Sequence, residues 1–503
     1  MSVWDVGSYQ LTQTGVEFST QDALLQAVFD DCERLCLENR KVFGDYEVLI
    51  EGAKYNGVWL ETQPLGGEMY AKRDLKVALA NMLIFLRYQR KDGKFPGMIS
   101  HRSPWLSVAA HYDWMQGCFL PYSAFKLYYL IGEDRRYLEA LYEGLRDFDN
   151  YLWSCRDSTG DGCLESWCIW DTGEDNCTVH MLHGAKMPEH GAWGASTPPA
   201  DQEIFPHKSP QYMAYSFACR RTLAQISRIL ENAEEEVWLE KAQAVRAAAE
   251  EKLWDKEKHA FFIKNKKGEF IHALTQENIK CMYSGLMTRE MADQFLKEHL
   301  LNEEEFWTPY PFPAIAANDP YFHVNSECSN CQDKLAQLDY ICEDIDDNSW
   351  SGPLSGLIWQ RSVGALLNYG YHKETVMAGK RILALLKRER RYVQNYHPFT
   401  GKCAKGQDGY GPTMLAALEY ISLLCGVNIS CGKILWSAAE DMGTFSYTQH
   451  MFGKAFTLRS DGCQMSAYID GDRVFSHPVG ARLETDLEGN MNAVHDISTG
   501  AKE

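Results

Sequence analysis

The sequence predicts a mainly α fold, an (α/α)6 barrel (toroid) with a small C-terminal antiparallel β module. Three observations lead there. Long stretches place apolar residues at helical spacing. These stretches come in successive pairs of similar length with one short connection each. Near residue 434 the helical period gives way to alternation. Residues 74–90 set Leu75, Leu79, Met82, Leu83 and Leu86 on one face. Residues 122–131 and 135–153 form a hairpin broken at Gly132-Glu133-Asp134, whose second arm buries Leu138, Leu141, Leu145, Phe148 and Leu152. Further pairs run over 211–230 with 234–254, and over 354–369 with 374–388, the last broken at Gly370. Residues 21–39 and 413–424 are helical in pattern, and weaker periodicity marks 276–284 and 289–300. Short connections make neighbours antiparallel, so about six pairs close into a ring. No fixed sequence period supports an open superhelix of repeats instead.

The segments 444–447, 455–458, 464–469 and 473–477 alternate polar and apolar residues, with turns such as Asp461-Gly462 and Asp470-Gly471 between them. The expected division is a barrel over 1–430, a β module over 431–484 and a polar, frayed tail over 485–503.

An apolar fraction of 45% and a charged fraction of 24% fit a soluble globular protein. The formal net charge of −19 repels phosphate backbones, which argues against nucleic acid as a partner. The longest apolar run, near 82–86, is far too short to span a bilayer, so no membrane partner is expected. The opening Met1-Ser2-Val3-Trp4-Asp5 lacks the basic and apolar regions of a secretory signal, and a cytoplasmic location is expected. The 16 cysteines follow no disulfide framework and read as reduced thiols. Cys328-Ser329-Asn330-Cys331 has metal-ligand spacing but no second pair, so neither a metal nor a cofactor is expected.

Aromatic residues mark the chemistry. Many of the 14 Trp sit beside Gly, Pro or acidic residues rather than at helical spacing. Aromatic faces stack on the C–H faces of sugar rings, while carboxylates bind the hydroxyls. The long loops 55–70, 93–115, 154–210, 307–352 and 392–411 carry these residues at one end of each helix pair. In the richest, Asp161, Glu165, Asp171, Glu174 and Asp175 are interleaved with Trp167 and Trp170. Crowded acids beside apolar rings raise one another's pKa, as a general acid near neutral pH requires. The 55–70 segment reads as a substrate wall or lid. Trp59 stacks on a ring, Glu61 and Gln63 bind hydroxyls, and Gly66-Gly67 supply freedom for closure. The alternative there is an ordinary connector anchored by Trp59. His101, His111, Asp113, Trp114 and Gln116 form a second polar–aromatic group, with Asp113 either a sugar contact or an N-cap. Asp157 to Gly162 reads as a tight turn rather than a calcium loop. The acidic run from Glu343 to Asn348 reads as a solvated rim.

Trp170-Asp171-Thr172-Gly173-Glu174-Asp175-Asn176 resembles a motif of glycoside hydrolase family 63 and the related mannosylglycerate and glucosylglycerate hydrolases, with trehalases more distant. Trp350-Ser351-Gly352-Pro353 is similar to that family's tryptophan–x–glycine–proline segment, and Asn395-Tyr396-His397-Pro398-Phe399-Thr400-Gly401 to its tyrosine–x–proline–x–threonine–glycine segment. Asn318-Asp319-Pro320 stands where such proteins carry an aspartate–proline turn. The resemblance spans roughly 55–424 and implies inverting hydrolysis of a small α-linked glucoside or mannoside. Asp175 matches the general acid. The partner base would stand about 6.5–9.5 Å away to admit a water.

The sequence departs from this pattern at one point. Gln394 occupies the expected general-base position, and an amide cannot take a proton from water. Three explanations are open. Gln394 replaces a natural Glu, another carboxylate (Glu61 or Glu165) is the base, or the chain binds sugar with little turnover. An epimerase or isomerase on the same barrel is the alternative activity. Its usual histidine pairs find no obvious counterpart here. The candidate binding set is Tyr55, Trp59, Glu61, Gln63, Asp113, Trp114, Gln116, Trp170, Asp171, Glu174, Asn176, Gln211, Trp350, Gly352, Tyr396 and His397, around a small glycoside or oligosaccharide.

Overall fold

The computed structural model describes residues 2–103, 106–185, 198, 203–324 and 349–499. The Cys328/Cys331 pair and the acidic run 343–348 lie outside the described residues. The helices are α1 (Ala23–Glu38), α2 (Gln63–Tyr70), α3 (Leu75–Arg87), α4 (Leu120–Leu130), α5 (Arg135–Cys155), the short α6 (Ile169–Thr172) and α7 (Thr178–Leu182), α8 (Pro210–Leu230), α9 (Glu235–Leu253), α10 (Glu277–Tyr283), α11 (Arg289–Phe295), α12 (Gly356–Asn368), α13 (His372–Glu389) and α14 (Gly411–Cys425). Asp22, Asp74 and Asp134 start α1, α3 and α5, each accepting two backbone N–H groups. Such a cap stabilises a helix by about 1 kcal/mol.

Among the described residues, α2, α4, α8, α10, α12 and α14 touch in that order, and α14 returns to α2. This is the inner ring of an (α/α)6 barrel. The inner helices are apolar around most of their circumference, and every residue of α14 is buried. The outer helices bury one stripe each, as α5 does through Leu138, Leu141, Leu145 and Leu152. α1 packs on α14 and α13, so the chain's first helix closes the ring beside its last. α11 is tied to the α12–α13 turn, where Arg289 Nη1 donates to the Tyr369 carbonyl at 2.7 Å.

The 55–70 segment corrects one expectation. Its second half is α2, an inner helix opened by Pro64, and Gly66-Gly67 lie buried inside it. A Cβ at Gly67 would stand 2.8 Å from Asn81 Cβ, so this glycine serves close helix packing rather than lid motion. Asn81 in turn holds the strand Tyr46–Leu49. Its Oδ1 accepts from Leu49 N, and its Nδ2 donates to Leu49 O, both at 2.9 Å. Losing that side chain would bury two unpaired backbone groups, at about 1–3 kcal/mol each.

The β region also differs from its expected bounds. One sheet runs Gly15–Thr20, Thr444–Met451, Lys454–Asp461, Gln464–Ile469, Asp472–Pro478. Its first strand comes from the N-terminus, with Gly15 opposite His450 and Thr20 opposite Phe445. The second sheet runs Gly426–Ser430, Lys433–Ala438, Ala481–Asp486, Met491–Asp496. The C-terminal β module therefore begins at Gly426, and the 485–496 stretch read as a frayed tail is paired strand, with Leu483 opposite Val494. An edge strand exposed on one face carries no apolar run, so its order comes from ladder hydrogen bonds to a partner.

Candidate active site

A small, partly open cavity lies where inner helices begin. Its walls are Glu51, Tyr55, Trp59, Glu61, Thr62, Gln116, Gly173, Asp175, Trp350, Leu357, Gln394 and Tyr410. Thr62, Leu357 and Tyr410 stand at the N-terminal ends of α2, α12 and α14. These ends carry the positive poles of the helices, which favour carboxylates gathered there. Gly356 allows the convergence, since a Cβ there would lie 2.5 Å from Thr413 N.

Asp175 sits on a short segment braced on both sides. Upstream, the buried Asp171 carboxylate accepts from Met115 N at 2.8 Å and Trp167 N at 2.9 Å, and pairs with the buried Arg156. Burial works to raise the Asp171 carboxyl, but Arg156 and Lys94 outweigh it and hold it below the usual range. Glu174 is pinned to Lys280 Nζ at 2.9 Å, and Lys280 also reaches Gln211 Oε1 at 2.7 Å. Downstream, Ser351 Oγ donates to Asn176 O at 2.8 Å and accepts from Thr178 N at 2.9 Å. Asp171, Glu174, Asn176 and Gln211 therefore position the acid segment and do not line the cavity.

Glu51 faces the same cavity and was not singled out in the sequence. Gly52, at φ +87°, turns the chain beside Gly409, where Asn39 Nδ2 donates to Gly409 O at 2.9 Å. Gly411 N donates to Glu51 O at 2.7 Å, and Tyr410 Oη donates to Glu51 Oε1 at 2.7 Å. Burial pushes the Glu51 carboxyl up to about 8, with Glu61 and Asp175 adding to the rise. One signal was available: Val48-Leu49-Ile50-Glu51-Gly52 ends an apolar run on an acid and a turn residue.

Glu61 is in the cavity but committed to the buried Arg361. Burial raises its carboxyl to about 7, with Arg361 and Lys280 opposing. Glu165 is not brought to the cavity. It is buried with Lys208 Nζ at 2.9 Å, Ser158 Oγ at 2.6 Å and Trp167 Nε1 at 3.1 Å. Those three partners fill its oxygens, so its candidacy as base is corrected. Gln394 lines the cavity and accepts from Tyr55 Oη at 2.7 Å.

The aromatic wall is a row of rings, Tyr410, Tyr55, Trp59, Trp114 and Trp170, with neighbouring centroids 5.4–6.5 Å apart. The Trp59 indole N–H is buried with no partner among the described residues. Trp114 and Trp170 extend this row without lining the cavity. Gln63 acts on the wall indirectly, accepting from Trp59 N at 2.5 Å. Asp113 is exposed, and α4 begins only at Leu120, so it is neither cavity wall nor cap. Gly352 packs against His323 O, where a Cβ would come within 2.9 Å. Tyr396 and His397 face a neighbouring hollow instead, and Tyr396 Oη donates to Arg391 O at 2.7 Å. Asp157 does form a tight turn, accepting from Asp161 N and Gly162 N at 3.0 Å.

Residues 68–411 match the family model described as the mannosylglycerate hydrolase MGH1-like glycoside hydrolase domain. The chain belongs to this glycoside hydrolase family. Similar solved structures include the family 63 mannosylglycerate hydrolase of Thermus thermophilus, solved in complex with glucose, at 17% identity and TM-score 0.59, covering 78% of this chain and 99% of that one. Another is the neutral trehalase of Saccharomyces cerevisiae, at 13% identity and TM-score 0.53, covering 75% and 74%. The α-L-rhamnosidase of Dictyoglumus thermophilum matches at 14% identity and TM-score 0.55. It covers 92% of this chain, which spans 45% of that one. At these identities the likeness is one of fold. A search of curated proteins returns no match.

This glycoside hydrolase domain supplies Asp175 and Gln394 from its matched segment, whereas Glu51, Tyr55, Trp59 and Glu61 lie upstream of it. Gly173 joins the two parts. It ends α6 at φ +71°, and a Cβ there would lie 2.3 Å from Glu61 Oε1. Gly173→Ala is expected to cost about 1–3 kcal/mol from the backbone conformation alone and to displace Glu61 from Arg361. Chemical denaturation read beside kcat/KM checks this. Wild-type stability in the variant would show that the turn relaxes freely.

Proposed function

We propose that the cavity hydrolyses a small α-linked glucoside or mannoside with inversion, Asp175 acting as general acid and Glu51 as the base that activates water. The carrying observation is the convergence of Asp175, Glu51 and Gln394 on one cavity beside an aromatic wall. Asp175 protonates the leaving oxygen. Glu51 draws the proton from a water on the opposite face of the ring. Among the cavity carboxylates Glu51 is bonded to a phenol rather than to a cation, so its lone pairs are not held by a fixed charge. Gln394, steadied by Tyr55, hydrogen-bonds the water or a sugar hydroxyl without taking its proton.

A screen of α-linked disaccharides and glycosylglycerates, with the first-formed anomer followed by NMR, tests the reading. Net hydrolysis with the inverted anomer supports it. A rearranged sugar skeleton would identify an isomerase, and retained configuration would refute inversion.

Gln394 favours a second reading, a sugar-binding chain with little turnover. The Glu51→Gln/Gln394→Glu double variant separates the two. If Glu51 is the base, the single Glu51→Gln variant is crippled and the added carboxylate restores at least about tenfold. If turnover appears only when residue 394 is Glu, and the native chain merely binds sugar by calorimetry, the binding reading replaces ours.

A further inference from the structure

Behind the acid segment, Glu174, Cys177 and His180 bring a carboxylate oxygen, a thiol sulfur and an imidazole nitrogen within 4.8 Å of one another. We propose that these three side chains bind a zinc-class divalent transition metal, which clamps the segment carrying Asp175. All three residues are buried, at 2%, 0% and 2% exposure. Their spacing explains the convergence. Cys177 caps α7 and His180 lies three residues on, so both share one helix face. Glu174 enters from the turn after α6.

Both His180 nitrogens are without a hydrogen-bond partner among the described residues, and so is Glu277 Oε1 nearby. A buried polar group left unsatisfied costs about 1–3 kcal/mol, and metal coordination removes that cost for one of the two imidazole nitrogens. Glu174 divides its oxygens suitably. Oε1 takes Lys280, while Oε2 stands 3.9 Å from His180 Nε2. Zinc bonds of about 2.0–2.3 Å fit donors spaced roughly 3.3–3.8 Å, so small side-chain rotations complete the site. Thiolate, imidazole and carboxylate together select zinc over magnesium or calcium. On binding, the Cys177 S–H bond breaks, its proton leaves to solvent, and the sulfur pair forms the metal bond. The resulting thiolate and the Glu174 carboxylate face the ion, Lys280 sharing that carboxylate through its other oxygen. A metal here departs from the sequence expectation that none is bound.

The test is metal content and spectroscopy on the full chain, which reads binding and not turnover. The expected result is about one equivalent of zinc after loading and dialysis, with Cys177→Ser and His180→Ala binding it at least about tenfold more weakly. Cobalt-loaded protein should show a thiolate-to-cobalt absorption band, and a strong chelator should lower the thermal midpoint of the wild type. The cobalt band reads the wild type alone and decides even if a variant fails to fold. Absence of the band, or zinc uptake unchanged in both variants, would overturn the proposal.

Discussion

Replacing Asp175 by Asn is expected to slow hydrolysis by about 10²- to 10⁴-fold while leaving cooperative unfolding intact. The amide matches the carboxyl in shape but has no acidic proton for the leaving oxygen. The fold should survive, because Asp171, Glu174 and Ser351 fix the segment. The deficit has a chemical signature. An activated aryl glycoside leaves without protonation, so the variant should recover most of its rate on such a substrate. An equal loss on poor and good leaving groups, with an unchanged unfolding midpoint, would remove Asp175 from the acid role.

Glu51→Gln is the second large effect, again about 10²- to 10⁴-fold, and this time independent of leaving group. It carries a pH consequence. Burial holds the Glu51 proton until about pH 8, and the neighbouring Asp175 contributes to that rise. A base works only when unprotonated, so the rate is expected to rise as pH climbs through about 8 and to fall off below it with the ionised fraction of Glu51. In Glu51→Gln that limb should vanish, leaving the residual rate flat across this range. A limb near 8 that persists in Glu51→Gln would separate Glu51 from the titration.

Most of the barrel was legible because helical amphipathicity is local. Leu75 to Leu86, and Leu138 to Leu152, declare their buried stripes without reference to any partner. α2 was not, because its eight residues include Pro64, Gly66 and Gly67, which read as a loop. Those glycines are helical here because neighbouring helices press on them, a force that no local pattern records. Gly15–Thr20 and Met491–Asp496 escaped for a related reason, since each is ordered by a strand found elsewhere in the chain.

By itself the sequence determined the barrel class, the acid-rich segment around Asp175 and the amide at 394, because periodicity and motif are properties of adjacent residues. The tertiary structure alone decided which carboxylates share a cavity. It withdrew Glu165 to Lys208, committed Glu61 to Arg361 and brought Glu51 forward. Charge pairing and burial depend on what lies across space, and the partners of these three acids lie far from them in the chain or on other elements.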